Sequence, residues 1–265
     1  MIITKKQNAL EYLVAEGITT PHCFTTRHGG VSTGSQSSLN LAHGRGDSME
    51  NVEKNIHILA EALPFDPQKM VLTRQTHSDI VRVVTDADCN GLCHRDYPEC
   101  DALVTNTPGV SLMVFTADCT PLLFHDPVTG AVGAAHAGWR GTAQAIGAKT
   151  VEAMVRQFGC DPANIHTAIG PNIGQCHFET DADVPEAMIT TFGDEAKEYI
   201  RQSGAKYYLD LKQINALILR RAGVRHIEIS EDCTYCQNDR FWSHRYTKGE
   251  RGSQGAIIVC KEGCK

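Results

Sequence analysis

A carboxylate, a thiol, an imidazole and a guanidinium fall within one stretch, residues 118–141, DCTPLLFHDPVTGAVGAAHAGWRG. They belong to Asp118, Cys119, His136 and Arg140. A thiol beside an imidazole suits two kinds of chemistry: nucleophilic attack by a Cys–His pair, or ligation of a borderline-soft metal. Zinc used in catalysis takes three protein ligands and keeps a fourth position open. Upstream, Gln75-Thr76-His77 offers the third ligand, with Gln75 placed to orient a ligand or a water. A lone histidine is more often structural than a ligand, so the residues alone leave His77 open. Arg27, beside Gly29-Gly30, has the make-up of an anion contact, and also that of a solvated surface turn.

The elements that must position these groups follow from the apolar pattern. Runs 111–116 and 131–135 are short, apolar and bounded by turn signals, so they read as buried strands. Paired side by side, they would bring Cys119 and His136 out together at one end of a sheet. Gly138 and Gly141 allow a tight turn, and Thr142 is expected to cap a helix reaching Phe158, with Gly159 as its stop. The start of that helix would face the site and favour an anion such as phosphate. Residues 71–84 read as strand, loop, strand around His77. Asp101 opens a strand over 101–105 and is placed at the rim of the pocket. Strand 165–169 leads into a rigid loop, 170–179. The mixed segment 241–246, FWSHRY, is expected to wall the pocket.

Further helices are expected after Ser48 and Asp210, each a capping residue before an apolar stripe, and at Asp183, which with Pro185 opens another. Segments 2–20, 226–230 and 255–260 read as strand, and His57 as structural. With no linker, repeat or low-complexity segment, the chain is expected to form one mixed α/β domain over residues 1–265.

Bulk properties narrow the class. The 265 residues carry a formal net charge of −6, with 42% hydrophobic and 21% charged side chains. That balance argues against a nucleic-acid coat and suits a globular enzyme. No apolar run is long enough to span a bilayer. The segment MIITKKQNAL lacks the apolar core of a secretory signal, which points to the cytoplasm. Eleven cysteines, an odd number, are expected to be reduced. Cys89, Cys93, His94 and Cys100 match no common zinc spacing and read as incidental thiols of a flexible loop. Cys233-Thr234-Tyr235-Cys236 is a CxxC without a second such pair, which favours a structural role.

The motifs TTRHGGVS, SLNL, QTHSDIV, DALVT, TADCTPLLF, HAGWRGT, AIGPNIGQCHFE, DLKQIN and CTYCQNDRFWSHR run in order along nearly the whole chain. Together they resemble the YfiH family, also called the multicopper polyphenol oxidase, laccase-domain or purine nucleoside phosphorylase family. The resemblance implies zinc bound by His77, Cys119 and His136. It implies a layered α/β fold similar to the catalytic domain of cytotoxic necrotising toxins. It also implies phosphorolysis of adenosine, inosine and S-methyl-5'-thioadenosine, with adenosine deamination. The expected partners are therefore a purine nucleoside and phosphate, with no nucleic acid and no membrane; the oligomeric state is left open.

On that reading Cys119, Asp118 and Arg140 are catalytic, and Arg27, Asn40 and Gln75 bind substrate. Arg140 and Arg27 would meet phosphate or ribose, and Asp118 or the zinc would face the base. Three alternatives stand beside it: a metal-free Cys119–His136 amidase editing peptidoglycan precursors, a copper-dependent phenol oxidase, and a metal-storing or partner-binding protein. The chain contains no H-x-H pair of the kind laccase copper centres use, which weakens the oxidase reading. It departs from the family pattern around His43, at Gln175–Glu179, where a histidine replaces a usual second cysteine, and in the cysteine-rich 89–100 insert.

Overall fold

The computed structural model describes residues 1–44, 46–89, 91 and 98–261; Cys93 and His94 of the cysteine-rich loop lie outside them. Strands and helices are numbered in chain order. Along β7 (Ser111–Thr116), Leu112 and Val114 join one buried cluster and Met113 another. β15 (Gln254–Val259) repeats this alternation, with Ala256 and Ile258 on one side and Ile257 and Val259 on the other. Strands that are apolar on both faces need cover on both. The chain meets that need with two sheets packed face to face and helices on the outside.

Among the described residues the first sheet has the order β1 (Ile2–Gln7), β2 (Leu10–Ala15), β3 (His22–Thr25), β15, β7 and β4 (Met70–Leu72). The second has the order β14 (His226–Ile229), β10 (His166–Ile169), β8 (Thr120–His125), β9 (Val132–Ala137), β6 (Ala102–Thr105) and β5 (Val81–Val83). Between them lie Phe24, Leu112, Val114 and Ile258 from the first sheet and Leu103, Leu123, Val132 and Ala134 from the second. Each large apolar side chain buried this way is worth about 1.5–3 kcal/mol.

Helix α1 (Met49–Ala62) covers the outer face of the first sheet with Val52, Ile56 and Leu59, its start capped by Ser48 accepting from Asn51 N. Helices α3 (Ile146–Phe158) and α5 (Leu211–Arg221) cover the outer face of the second through Ile146, Val151, Met154, Ala216 and Leu219. Asp210 caps α5 by accepting from Gln213 N. A smaller sheet, β11 (Glu179–Thr180), β13 (Lys206–Leu209) and β12 (Ile200–Ser203), accompanies α4 (Asp183–Phe192). Among the described residues no helix is long and apolar enough to cross a membrane.

Two expectations are corrected. Runs 111–116 and 131–135 do not pair: β7 lies in the first sheet and β9 in the second, because each is buried on both faces and the two layers stack through them. The expected helix over 142–158 is broken at Ala145, whose backbone is left-handed (φ 59°). It becomes α2 (Trp139–Ala143) and α3, and it starts at Trp139 rather than after Arg140.

Candidate active site

Cys119 lies on the link by which the chain leaves β7 in one sheet and enters β8 in the other. Pairing of β8 with β9 sets Pro121 opposite His136, so thiol and imidazole meet at that end of the second sheet. His77 comes from the loop between β4 and β5. The ligand atoms of His77, Cys119 and His136 all lie within 4.8 Å of one another. The two imidazole rings are 4.9 Å apart between centroids, tilted by 33°.

What holds this group together is Asp101, at the start of β6. Its carboxylate is fully buried rather than at the rim. It accepts from the backbone amides of Thr76 (3.0 Å), His77 (3.1 Å) and Ser78 (2.7 Å) and from the Ser78 hydroxyl (2.7 Å). Three successive amides wrap one carboxylate because His77 takes a left-handed backbone (φ 62°), uncommon for a residue with a side chain. The same carboxylate lies 2.7 Å from His136 Nδ1. Asp101 thus fixes the His77 loop and, by occupying Nδ1 of His136, turns Nε2 towards Cys119 and His77.

The electrostatics follow. Burial disfavours the Asp101 carboxylate, yet the contacts from His136 and the 76–78 loop outweigh it and hold its pKa down at about 2. Burial likewise opposes charging of His136, and the Cys119 thiol and Asp101 together raise it to about 9. His77 is pushed below its ordinary value by burial and by His136 beside it.

A thiolate with two imidazoles is a donor set suited to zinc. The backbone leaves room for an ion. A Cβ built on Gly138 would stand 3.3 Å from Cys119 Sγ and 3.6 Å from both His136 Cε1 and His77 Nδ1. A side chain there would press on the sulfur, so glycine leaves the hollow clear, and the donor set and the hollow together fit a metal.

The three groups open onto a cavity of about 810 Å³, within the roughly 300–1,000 Å³ usual for small-molecule sites. Its walls include the aromatic residues Phe115, Trp139 and Phe178 and the cations Arg74, Arg245 and Arg251. Gln75 and Asp118 line it too, but their polar groups are engaged. Gln75 donates to Phe115 O and accepts from Phe115 N, pinning that residue's backbone. Asp118, also left-handed (φ 84°), accepts from Thr234 Oγ1 (2.6 Å) and Arg245 N (2.7 Å). That carboxylate fastens Thr234 and the start of α6 (His244–Thr247) to the cavity wall.

Arg140 is exposed and lies across the Trp139 ring, 4.2 Å from its centroid; its charge is felt at His77, although it is not among the lining residues. Two expectations fail on position. Arg27 donates to Ser37 O and Asn238 O and stacks on Trp242 at 3.9 Å, away from the cavity. Asn40 is buried and bridges Ala42, Asp47 and Ser253. Sequence reasoning missed the central place of Asp101 and the presence of Arg251. Arg251 precedes β15, and its position at a strand start beside other loop ends was the available signal. The 241–246 segment does supply wall residues, His244 and Arg245.

Comparison with known proteins shows the family and the fold. Residues 21–261 match the family described as multi-copper polyphenol oxidoreductase laccase. A purine nucleoside phosphorylase of Deinococcus radiodurans is 40% identical over 252 residues, covering 94% of this chain and 92% of the relative. The purine nucleoside phosphorylase YlmD of Geobacillus stearothermophilus is 39% identical over 246 residues, covering 90% and 89%. The crystal structure of YlmD from Geobacillus stearothermophilus has a TM-score of 0.91 at 35% identity, covering 99% of this chain and all of that one. The chain belongs to the YfiH-like family of multi-copper polyphenol oxidoreductase laccases.

Proposed function

We propose that this chain is a zinc-dependent purine nucleoside phosphorylase acting on adenosine, inosine and S-methyl-5'-thioadenosine, with adenosine deamination at the same site. The observation that carries the reading is the meeting of His77, Cys119 and His136 on a cavity walled by aromatic faces and arginines. It is supported by relatives that bear the name purine nucleoside phosphorylase. His77, Cys119 and His136 would hold the zinc, which when bound supplies Lewis acidity and an acidified water.

The chain's own residues do the rest. Asp101 holds the Nδ1 proton of His136 and keeps Nε2 available for ligation. Trp139 and Phe178 offer flat apolar surfaces against which a purine packs. Phosphorolysis needs an anion held at the ribose C1 while the base departs with the electrons of the C–N bond. Of the wall cations, Arg245 and Arg251 are the ones assigned to that anion, and Arg140 adds positive charge at the Trp139 side. Arg245 is well braced: its guanidinium donates to His177 O and Glu179 O and its backbone to Asp118. Asp118 acts in this scheme as a positioning residue.

The test is incubation of metal-assayed protein with adenosine, with and without phosphate. Adenine and ribose 1-phosphate forming only with phosphate supports phosphorolysis, and inosine supports deamination. Zinc-replete protein that forms neither refutes the proposal. One observation favours a second reading, a Cys119–His136–Asp101 thiol hydrolase: a buried carboxylate orients the imidazole that faces the thiol, as in nucleophilic triads. His77 separates the two. His77→Ala abolishes a zinc-dependent reaction and spares a thiol hydrolase.

A further inference from the structure

A second group of metal-ligating side chains lies outside the site just described. Cys176, His177, Cys233 and Cys236 place one ligand atom each within 4.8 Å of every other. They come from two loops far apart in sequence, 170–179 after β10 and 232–238 after β14. Among the described residues, Cys23, Cys100, Cys160 and Cys260 differ in being buried in the protein core.

Three of the six distances among these ligand atoms are close to the edges of a zinc tetrahedron. Zn–S bonds of about 2.3 Å at tetrahedral angles set sulfur atoms about 3.8 Å apart, and set sulfur and imidazole nitrogen about 3.6 Å apart. Here Cys176 Sγ is 3.6 Å from both Cys233 Sγ and Cys236 Sγ, and Cys236 Sγ is 3.3 Å from His177 Nδ1. These separations are well beyond a disulfide bond of about 2.05 Å.

The surroundings match a thiolate centre. The Gly174 amide donates to Cys233 Sγ at 3.2 Å. A Cβ on Gly174 would lie 3.3 Å from both Cys176 Sγ and Cys233 Sγ, so glycine at this position keeps the space beside the two sulfurs uncrowded. The His177 ring stacks on Tyr235, 4.0 Å between centroids and 18° from parallel, which fixes the ring beside the thiols. The loops are also joined by an isolated bridge between Asn172 and Cys233 and by Thr234 N donating to Asn172 O.

We propose that Cys176, His177, Cys233 and Cys236 form a closed, four-ligand structural zinc site that clamps the 170–179 loop to the 232–238 loop. Ion binding releases the three thiol protons to solvent, and no redox step is involved. The clamp bears on the cavity, because Ile173 and Phe178 line it and His177 O and Glu179 O brace Arg245. With all four positions filled by protein, this centre orders a wall and does no chemistry, unlike the three-ligand centre at Cys119.

The test is metal analysis of purified parent and two double variants. Cys233→Ser/Cys236→Ser is expected to lose one equivalent of zinc per chain relative to the parent, and His77→Ala/Cys119→Ala is expected to keep that equivalent. A Cys233→Ser/Cys236→Ser protein with the parent's zinc content overturns the proposal. A second readout needs no change at the proposed site. His77→Ala/Cys119→Ala produced in cobalt-supplemented medium is expected to show thiolate-to-cobalt charge-transfer absorption of a tetrahedral centre. Absence of that band, or a disulfide within the cluster found by mass analysis of parent isolated without reductant, equally overturns it.

Discussion

Asp101→Asn replaces one carboxylate oxygen by an amide and leaves the side chain nearly isosteric. Oδ2 accepts three hydrogen bonds, from Thr76 N, Ser78 N and Ser78 Oγ, and Oδ1 faces His77 N and His136 Nδ1. The amide nitrogen therefore settles in the Oδ1 position, where it opposes fewer donors. It then faces His77 N–H, which loses its partner at a cost of about 1–3 kcal/mol. It also donates to His136 Nδ1, which forces the ring proton onto Nε2, the atom the candidate metal needs. With the loss of charge on the remaining bonds, we expect the metal-free protein to lose about 2–4 kcal/mol. We expect zinc affinity to fall about 10–100-fold. Urea unfolding of metal-free protein gives the first quantity, and competition with a chromophoric chelator gives the second. The parent–variant difference reports on the Cys119 centre alone, since the Asp101 carboxylate touches no other candidate ligand. Zinc affinity that stays within about twofold of the parent refutes the argument that Asp101 sets the His136 tautomer.

Three further outcomes are expected. Gly138→Ala needs no backbone change, since Gly138 has φ −65°. Its methyl group crowds Cys119 Sγ, so chelator competition should show zinc binding weakened by about 1–3 kcal/mol, and unchanged binding contradicts the hollow. Thr234→Val removes the hydroxyl that Asp118 accepts from, which should lower stability to urea by about 1–3 kcal/mol and raise KM as the Arg245 segment loosens. The His125 imidazole, 6% exposed, is pushed down to about 4 by burial and by His166 beside it. As pH falls below about 6.5 the unfolded chain takes up this proton first, so stability intact above that pH is lost progressively down to about pH 4. The loss is about 3 kcal/mol and should be absent from the urea-unfolding profile of His125→Gln.

Much of the site was legible because its chemistry is carried by rare residue types at strand ends. Cys119, His136 and His77 stand out in QTH, ADC and HAGWRG, and the structure brings them together. The route was not legible. Two apolar runs do not say whether they pair in one sheet or face each other from two, since both arrangements bury both faces. Asp101 reads as an ordinary strand-start aspartate, because its partners are backbone amides, which sequence does not display. Arg27 and Asn40 look like ligand contacts next to glycines and polar loops, yet their hydrogen bonds close on the protein itself. CxxC at 233–236 reads alone in the sequence because Cys176-His177 lies far upstream, and the contacts that join the two loops, from Asn172 to His177, are tertiary.

The position of β15 bears on how the polypeptide acquires its shape. This strand lies between β3 and β7, pairing Ala256 with Phe24 on one side and Val114 on the other. A ribosome releases it after more than two hundred residues that already hold both neighbours. Until it arrives, two apolar edges stay open to intermolecular association, and Arg251 and Ser253, just ahead of it, remain outside the cavity they later line. Nascent chains arrested before residue 254 should accordingly be cut by protease in β3 and β7 more readily than the released protein.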